Sequence, residues 1–138
     1  MKSLSRPDFE NGRLLLVDCD ERTLASLHKS LRGGLATTAE AVAADTLPAL
    51  DGCFAAIVEL EHFASPATLA RLEAAGVPLI ALTAHETLSQ IQRAIELGVT
   101  ALLNKPITQG SVYTTLMMAI GLRARLAEAN RQQAALAR

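Results

Sequence analysis

Apolar residues fall along this chain in two kinds of block that take turns. Unbroken, mostly apolar runs occupy positions 13–17 (Arg-Leu-Leu-Leu-Val), 54–58 (Phe-Ala-Ala-Ile-Val), 78–82 (Pro-Leu-Ile-Ala-Leu) and 99–103 (Val-Thr-Ala-Leu-Leu). Runs this short and this apolar predict fully buried strands. Between them, apolar positions recur every third or fourth residue, which predicts helices. Residues 21–31 place Leu24, Leu27, His28 and Leu31 on one face. Residues 66–75 begin at Pro66 with Ser65 as N-cap, and residues 86–97 gather Leu88, Ile91, Ala94 and Ile95. Gly33-Gly34 and Gly98 stop the first and third of these helices. A fainter pattern predicts a strand over 35–39 and an Ala-rich helix over 41–50. Apolar strands alternating with amphipathic helices make a parallel sheet covered on both faces, a doubly wound α/β domain.

The last pattern is helical from about Gln109 onward, with no Pro and no second helix breaker beyond Gly121. Residues 1–108 therefore read as a core, and 109–138 as a last helix that docks on it and then runs on. Val112, Leu116, Ala119 and Ile120 supply the docking face. Beyond them Ala119, Leu122, Leu126, Ala129, Gln133 and Leu136 recur at spacings of three and four, a heptad seam with one polar position. The alternative is an extended solvated helix that frays. No terminator closes the pattern before Arg138, so the helix is expected to lead to an output module in a longer product.

Composition narrows the function. The 138 residues suit one domain, and half are hydrophobic, yet there are only three Phe, one Tyr and no Trp. An aliphatic core follows, with no aromatic platform for single-stranded nucleic acid. A net charge of −1 gives no field toward nucleic acid or membrane. Neither a signal-peptide core nor a membrane-length apolar run occurs, so the expected location is the cytoplasm. Cys19 and Cys53 lack CxxC or zinc spacing, and His28, His62 and His85 are scattered, so no metal centre is expected.

In a doubly wound sheet, chemistry gathers outside the carboxyl ends of the strands. Asp18, Glu59, Thr83 and Lys105 each follow a predicted strand, and so meet at that edge. Polar residues commonly open loops, so any one of them alone signifies little. Four in this order, with Leu-Leu-Leu-Val-Asp-Cys-Asp-Glu at 14–21, Pro-Leu-Ile-Ala-Leu-Thr-Ala-His at 78–85 and Ala-Leu-Leu-Asn-Lys-Pro-Ile at 101–107, resemble the receiver domains of two-component response regulators. The resemblance covers roughly the first five-sixths of the chain and implies a flavodoxin-like (βα)₅ three-layer sandwich around a five-stranded parallel sheet. It also implies an acidic pair after the first strand, a phosphoacceptor after the third, a Thr switch at Thr83 and a cis Lys105–Pro106 bond.

Departures from that pattern fall on the chemistry. The second acidic residue, the family's direct Mg²⁺ ligand, falls on Cys19, and the phosphoacceptor position falls on Glu59. Magnesium wants hard oxygen ligands in near-octahedral geometry, which a thiol does not supply. Asp20, one residue on, is the substitute ligand to consider, although side chains alternate direction along an extended segment. Glu59 carries its carboxylate one methylene further than Asp, and in-line transfer tolerates about an ångström. Leu102 replaces the strand-five aromatic of many receivers, which removes a ring able to swing. The expectation is a pocket of Asp18, Cys19, Asp20, Glu59, Thr83, Lys105 and Pro106 with weak or no Mg²⁺ binding and no cofactor. Its Glu59–Lys105 pair would imitate part of a phosphorylated site, or be a plain ion pair worth at most about 1 kcal/mol.

An atypical receiver followed by a coiled coil is similar to one group, the ANTAR-type antiterminators, which add an RNA-binding module after the coiled coil. That module lies beyond these residues, so no direct nucleic-acid contact is carried over to them. The function expected is a non-enzymatic regulatory domain, homodimeric through its last helix and controlled by a sensor or regulatory protein, in transcription regulation or antitermination. Two alternatives stay open: phosphotransfer with Glu59 or Asp20 in unconventional roles, and a pure dimerisation or adaptor module. A small nucleotide-binding enzyme would need a glycine-rich loop where Cys19-Asp20-Glu21 stands.

Overall fold

The computed structural model describes residues 12–31, 38–42, 48–50, 52–60, 66–85 and 87–136. Five strands form one sheet: β1 (Arg13–Val17), β2 (Thr38–Val42), β3 (Cys53–Glu59), β4 (Leu79–Thr83) and β5 (Ala101–Asn104). Among the described residues four helices accompany them: α1 (Glu21–Leu31), α2 (Pro66–Ala74), α3 (Leu88–Glu96) and α4 (Gln109–Leu136). The strand order is β2-β1-β3-β4-β5 and every pairing is parallel. This is the flavodoxin-like order that the sequence resemblance implied, with the long last helix in place.

Consecutive residues of a strand face opposite sides of the sheet, and both sides are apolar here. Leu14 and Leu16 join Ala55, Ile57, Ile80, Leu82 and Leu103 in one core, closed by Leu27 and Leu31 of α1 and by Val112, Leu116 and Ala119 of α4. Leu15 and Val17 face the other way, with Ala56, Val58 and Leu79 against Leu69 and Leu72 of α2. All three leucines of β1 are fully buried. At roughly 1.5–3 kcal/mol for each buried large aliphatic, such strands are committed to the interior.

Four segments depart from the sequence expectation. The second strand is β2 at Thr38–Val42, three residues later than the 35–39 pattern. Arg13 sets its place: the guanidinium holds Glu40 through Nε–Oε1 and Nη2–Oε2, both 2.8 Å, and Nη1 donates to the Ala49 carbonyl at 2.7 Å. The helix expected over 41–50 begins inside that strand, and residues 48–50 are not helical; 43–47 lie outside the described residues. His28 is exposed, not part of the buried face of α1. On α3 only Ala94 is buried, whereas Leu88 and Ile95 are 71% and 69% exposed.

Helix starts follow local chemistry. Asp20 caps α1, its Oδ1 accepting from the Thr23 N–H at 2.7 Å, which satisfies a donor the helix itself leaves open. Thr87 caps α3 in the same way, accepting from Gln90 N–H at 3.2 Å, so this helix starts later than the 86–97 expectation. Gly98 ends it with φ +80°, a conformation in which any Cβ would be strained. Ser65 and the Gly33-Gly34 stop lie outside the described residues.

Candidate functional site

Because all strands run parallel, their carboxyl ends share one edge. The register brings Val17 opposite Val58, Glu59 opposite Leu82, and Thr83 opposite Asn104. Asp18, Glu59, Thr83 and Lys105 thus arrive at one end of the sheet from four strands.

Glu59 is the last residue of β3 and has no exposed surface. The Lys105 ammonium, about a quarter exposed, stands 3.0 Å from its Oε2 and donates to Oε1 at 3.2 Å. A buried carboxylate survives only when paired, because desolvating a lone charge costs several kcal/mol. Lys105 reaches it from the turn after β5, where its own N–H donates to the Thr83 carbonyl at 2.9 Å and the Lys105–Pro106 bond is cis.

Asp18 follows β1 with φ +55°, the left-handed region, which Asp tolerates better than most residues. Cys19 comes next, half-buried, its Sγ 3.7 Å from the Val17 carbonyl that accepts its proton. Burial, then the negative charge of Glu59, pushes this thiol up to about 12; Lys105 pulls the other way without prevailing. Asp20 is exposed and spends one carboxylate oxygen on the α1 cap. The Thr83 hydroxyl, fully buried, donates to the His85 carbonyl at 3.2 Å and accepts from the His85 N–H at 3.1 Å. That ties it to the loop following β4. Leu102 is half-buried in β5.

The neighbour of Asp18 is thus a thiol held in its protonated form, and the next carboxylate along the chain, Asp20, caps a helix. Among the described residues no group of three or more His, Cys, Asp or Glu is arranged to hold a metal ion. Beside the pair opens a groove of about 390 Å³, bounded by Asp20, Arg22 and Thr23 of the α1 start and by Lys105 and Pro106. Arg22 carries no motif signal in the sequence, and only the docking of α1 brings it there.

Beyond the pocket in sequence, α4 spans 28 residues. Val112, Leu116, Ala119 and Ile120 are buried on the core, as their spacing predicts. Leu122 and Leu126 are 42% and 47% exposed, and Ala129 and Gln133 are exposed. The Leu136 side chain lies outside the described residues. No helix among the described residues is long and apolar enough to cross a membrane.

No family model matches the sequence, and comparison with curated proteins returns no match. Solved structures do match, over most of the chain. A signal receiver domain of an HD domain-containing protein from Pseudomonas fluorescens Pf-5 superposes with TM-score 0.64 at 23% identity, covering 84% of this chain and 99% of that one. A CheY-like response regulator receiver domain from Methanospirillum hungatei JF-1 gives 0.63 at 18%, covering 84% and 98%. A chain described as a trimeric coiled-coil segment of yeast Spc42 fused to another structure gives 0.69 at 16%, covering 94% and 96%. The fold is that of receiver domains.

Proposed function

We propose that this chain is a receiver-type signalling domain whose phosphoryl-accepting chemistry is degenerate, and that it acts through protein contacts rather than as an enzyme. The observation that carries this reading is the fully buried Glu59 carboxylate paired with Lys105. Phosphoryl transfer to a carboxylate needs an exposed attacking oxygen in line with the donor and a cation to absorb developing charge. Here the carboxylate is enclosed and its cation is an ammonium already in contact. Cys19, protonated and soft, disfavours Mg²⁺ at the neighbouring position. The pair supplies, permanently, part of the charge arrangement that a phosphorylated site would create.

Output then passes to α4. The exposed seam of Leu122, Leu126, Ala129 and Gln133, with Leu136 completing the heptads, supports a homodimer through the last helix, with a sensor or regulatory protein as controlling partner. The coiled-coil-bearing chain among the similar structures is consistent with such an extension. Transcription regulation or antitermination is the role this arrangement fits, with any RNA contact made by a module beyond these residues, as in the ANTAR-type antiterminators.

The test is incubation with acetyl phosphate and Mg²⁺ followed by intact-mass measurement. No phosphoryl adduct is expected, and titration should show no Mg²⁺ binding at millimolar affinity or tighter. A stoichiometric adduct lost on Glu59→Gln would end the reading.

A further inference from the structure

Helices α1 and α4 flank a groove of about 390 Å³, lined by Ser26, Lys29 and Ser30 of α1, by Ile107 and Thr108 of the turn before α4, and by Gln109. The amino end of α4 therefore opens onto it. Thr108 and Ser111 cap this end reciprocally: Thr108 Oγ1 accepts from the Ser111 N–H, and Ser111 Oγ accepts from the Thr108 N–H, both at 3.1 Å. The cap leaves the Gln109 and Gly110 N–H groups to an acceptor outside the helix. Gly110 puts no side chain in the way, and nothing stands within 4 Å of where its Cβ would be. The first turn of α4 carries no acidic residue to offset the positive end of the helix dipole.

A second observation comes from α1. Ser30 is 8% exposed, and its hydroxyl makes no hydrogen bond among the described residues. Buried hydroxyls are seldom left without a partner, and the groove that Ser30 lines gives one access. Lys29 adds an exposed ammonium to the same lining, and among the described residues no carboxylate lines the groove.

We propose that this groove binds a small phosphorylated molecule, its phosphate held by the amino end of α4, Lys29 and Ser30. Three sets of donors face one space, and a phosphomonoester has three terminal oxygens to receive them, where a carboxylate has two. The volume lies in the range of small-molecule sites. Ser26 and Ile107 also line the groove beside Lys105, so the body of the ligand has room to extend toward the strand ends. Nothing here depends on whether Glu59 accepts a phosphoryl group, because binding in this groove transfers none.

The experiment is a titration of the nitrogen-15-labelled 138-residue chain with glycerol 3-phosphate and with inorganic phosphate, read by amide shifts at constant ionic strength, with glycerol as the blank. Both phosphates should give saturable shifts at Ser30, Gln109 and Gly110. Lys29→Ala and Ser30→Ala should each weaken binding about ten-fold, while the rest of the spectrum stays that of the folded chain. Arg125→Ala, which removes an equal charge elsewhere, should bind like wild type. Absence of saturable shifts up to tens of millimolar overturns the proposal. So does equal weakening by Arg125→Ala, which would mark a general attraction to positive charge. Binding of inorganic phosphate with exclusion of glycerol 3-phosphate overturns it too, since the groove would then take a free anion only.

Discussion

Lys105 lies within ion-pair distance of Glu59, and because the ammonium is about a quarter exposed while the carboxylate has no exposed surface, their substitutions are unequal. Lys105→Met takes the ammonium away from a carboxylate that has no exposed surface, and the expected cost is about 3–5 kcal/mol in urea unfolding. Glu59→Gln leaves an ammonium that already touches water, and should cost less. The double change to Met at both positions should recover most of the loss, because apolar replacement of a whole buried pair is often neutral. A Lys105→Met protein as stable as wild type would mean the pair contributes nothing. Cys19 gives a second residue-scale prediction. Its folded-state value of about 12 lies above its ordinary 9.0, so the fold favours the protonated thiol. The stability this contributes is complete below about pH 9 and is lost as pH rises toward 12. At pH 8 the thiolate fraction is then roughly 1,000-fold lower than for an unperturbed thiol. Alkylation by iodoacetamide, mapped by mass spectrometry, should be slower by a comparable factor in the native than in the unfolded chain. Equal rates would contradict the burial of this sulfur.

Elements differ in how openly the sequence announced them. Central strands β1, β3 and β4 are buried on both faces, so their continuous apolar runs were visible without knowledge of their neighbours. β2 is an edge strand of Thr-Ala-Glu-Ala-Val, and no run marks it. What places it is the fork of Arg13 on Glu40, a contact 27 residues apart in sequence, which no local pattern encodes. The periodicity of α3 revealed an apolar face but not its cover, and Leu88 and Ile95 prove exposed. The strand-end pocket was legible because parallel topology alone brings four strand termini together; Arg22 was not, because its position depends on how α1 docks. The Arg13–Glu40 fork carries the element-scale prediction. Its hydrogen bond from Arg13, and then the guanidinium charge, hold the Glu40 carboxyl below the usual range. The contribution is therefore present above the unfolded-state value near 4 and is lost as pH falls through the folded one. Both side chains are partly exposed, so Glu40→Gln should cost at most about 1 kcal/mol globally. Its clearer signature is faster amide exchange along β2 than in β1 or β3. Unchanged β2 protection would show that the backbone ladder alone sets the strand.

At the scale of the molecule the chain divides at about Gly121. Every residue in the main core cluster precedes that point, and α4 contributes Val112, Leu116 and Ala119 to it. The helix continues for some 15 residues whose described side chains are mostly exposed. An isolated helix of that length is marginal in water, because nucleation is costly and propagation gains little without an apolar face to bury. Two stabilities should then be separable. Ending the chain after residue 123 should leave the unfolding free energy of the core within about 0.5 kcal/mol of wild type, since no buried contact is removed. The remainder of α4, by contrast, should be helical only as far as a second copy covers it. Diluting the intact chain through its dimer dissociation constant should therefore lower the helical signal per residue, while the shortened chain shows no such dependence. If the helical signal of the intact protein is independent of concentration while its mass still halves on dilution, the extension is helical by itself and the two copies meet elsewhere. If shortening costs more than about 2 kcal/mol, the last turns of α4 belong to the core after all, and the division at Gly121 is wrong.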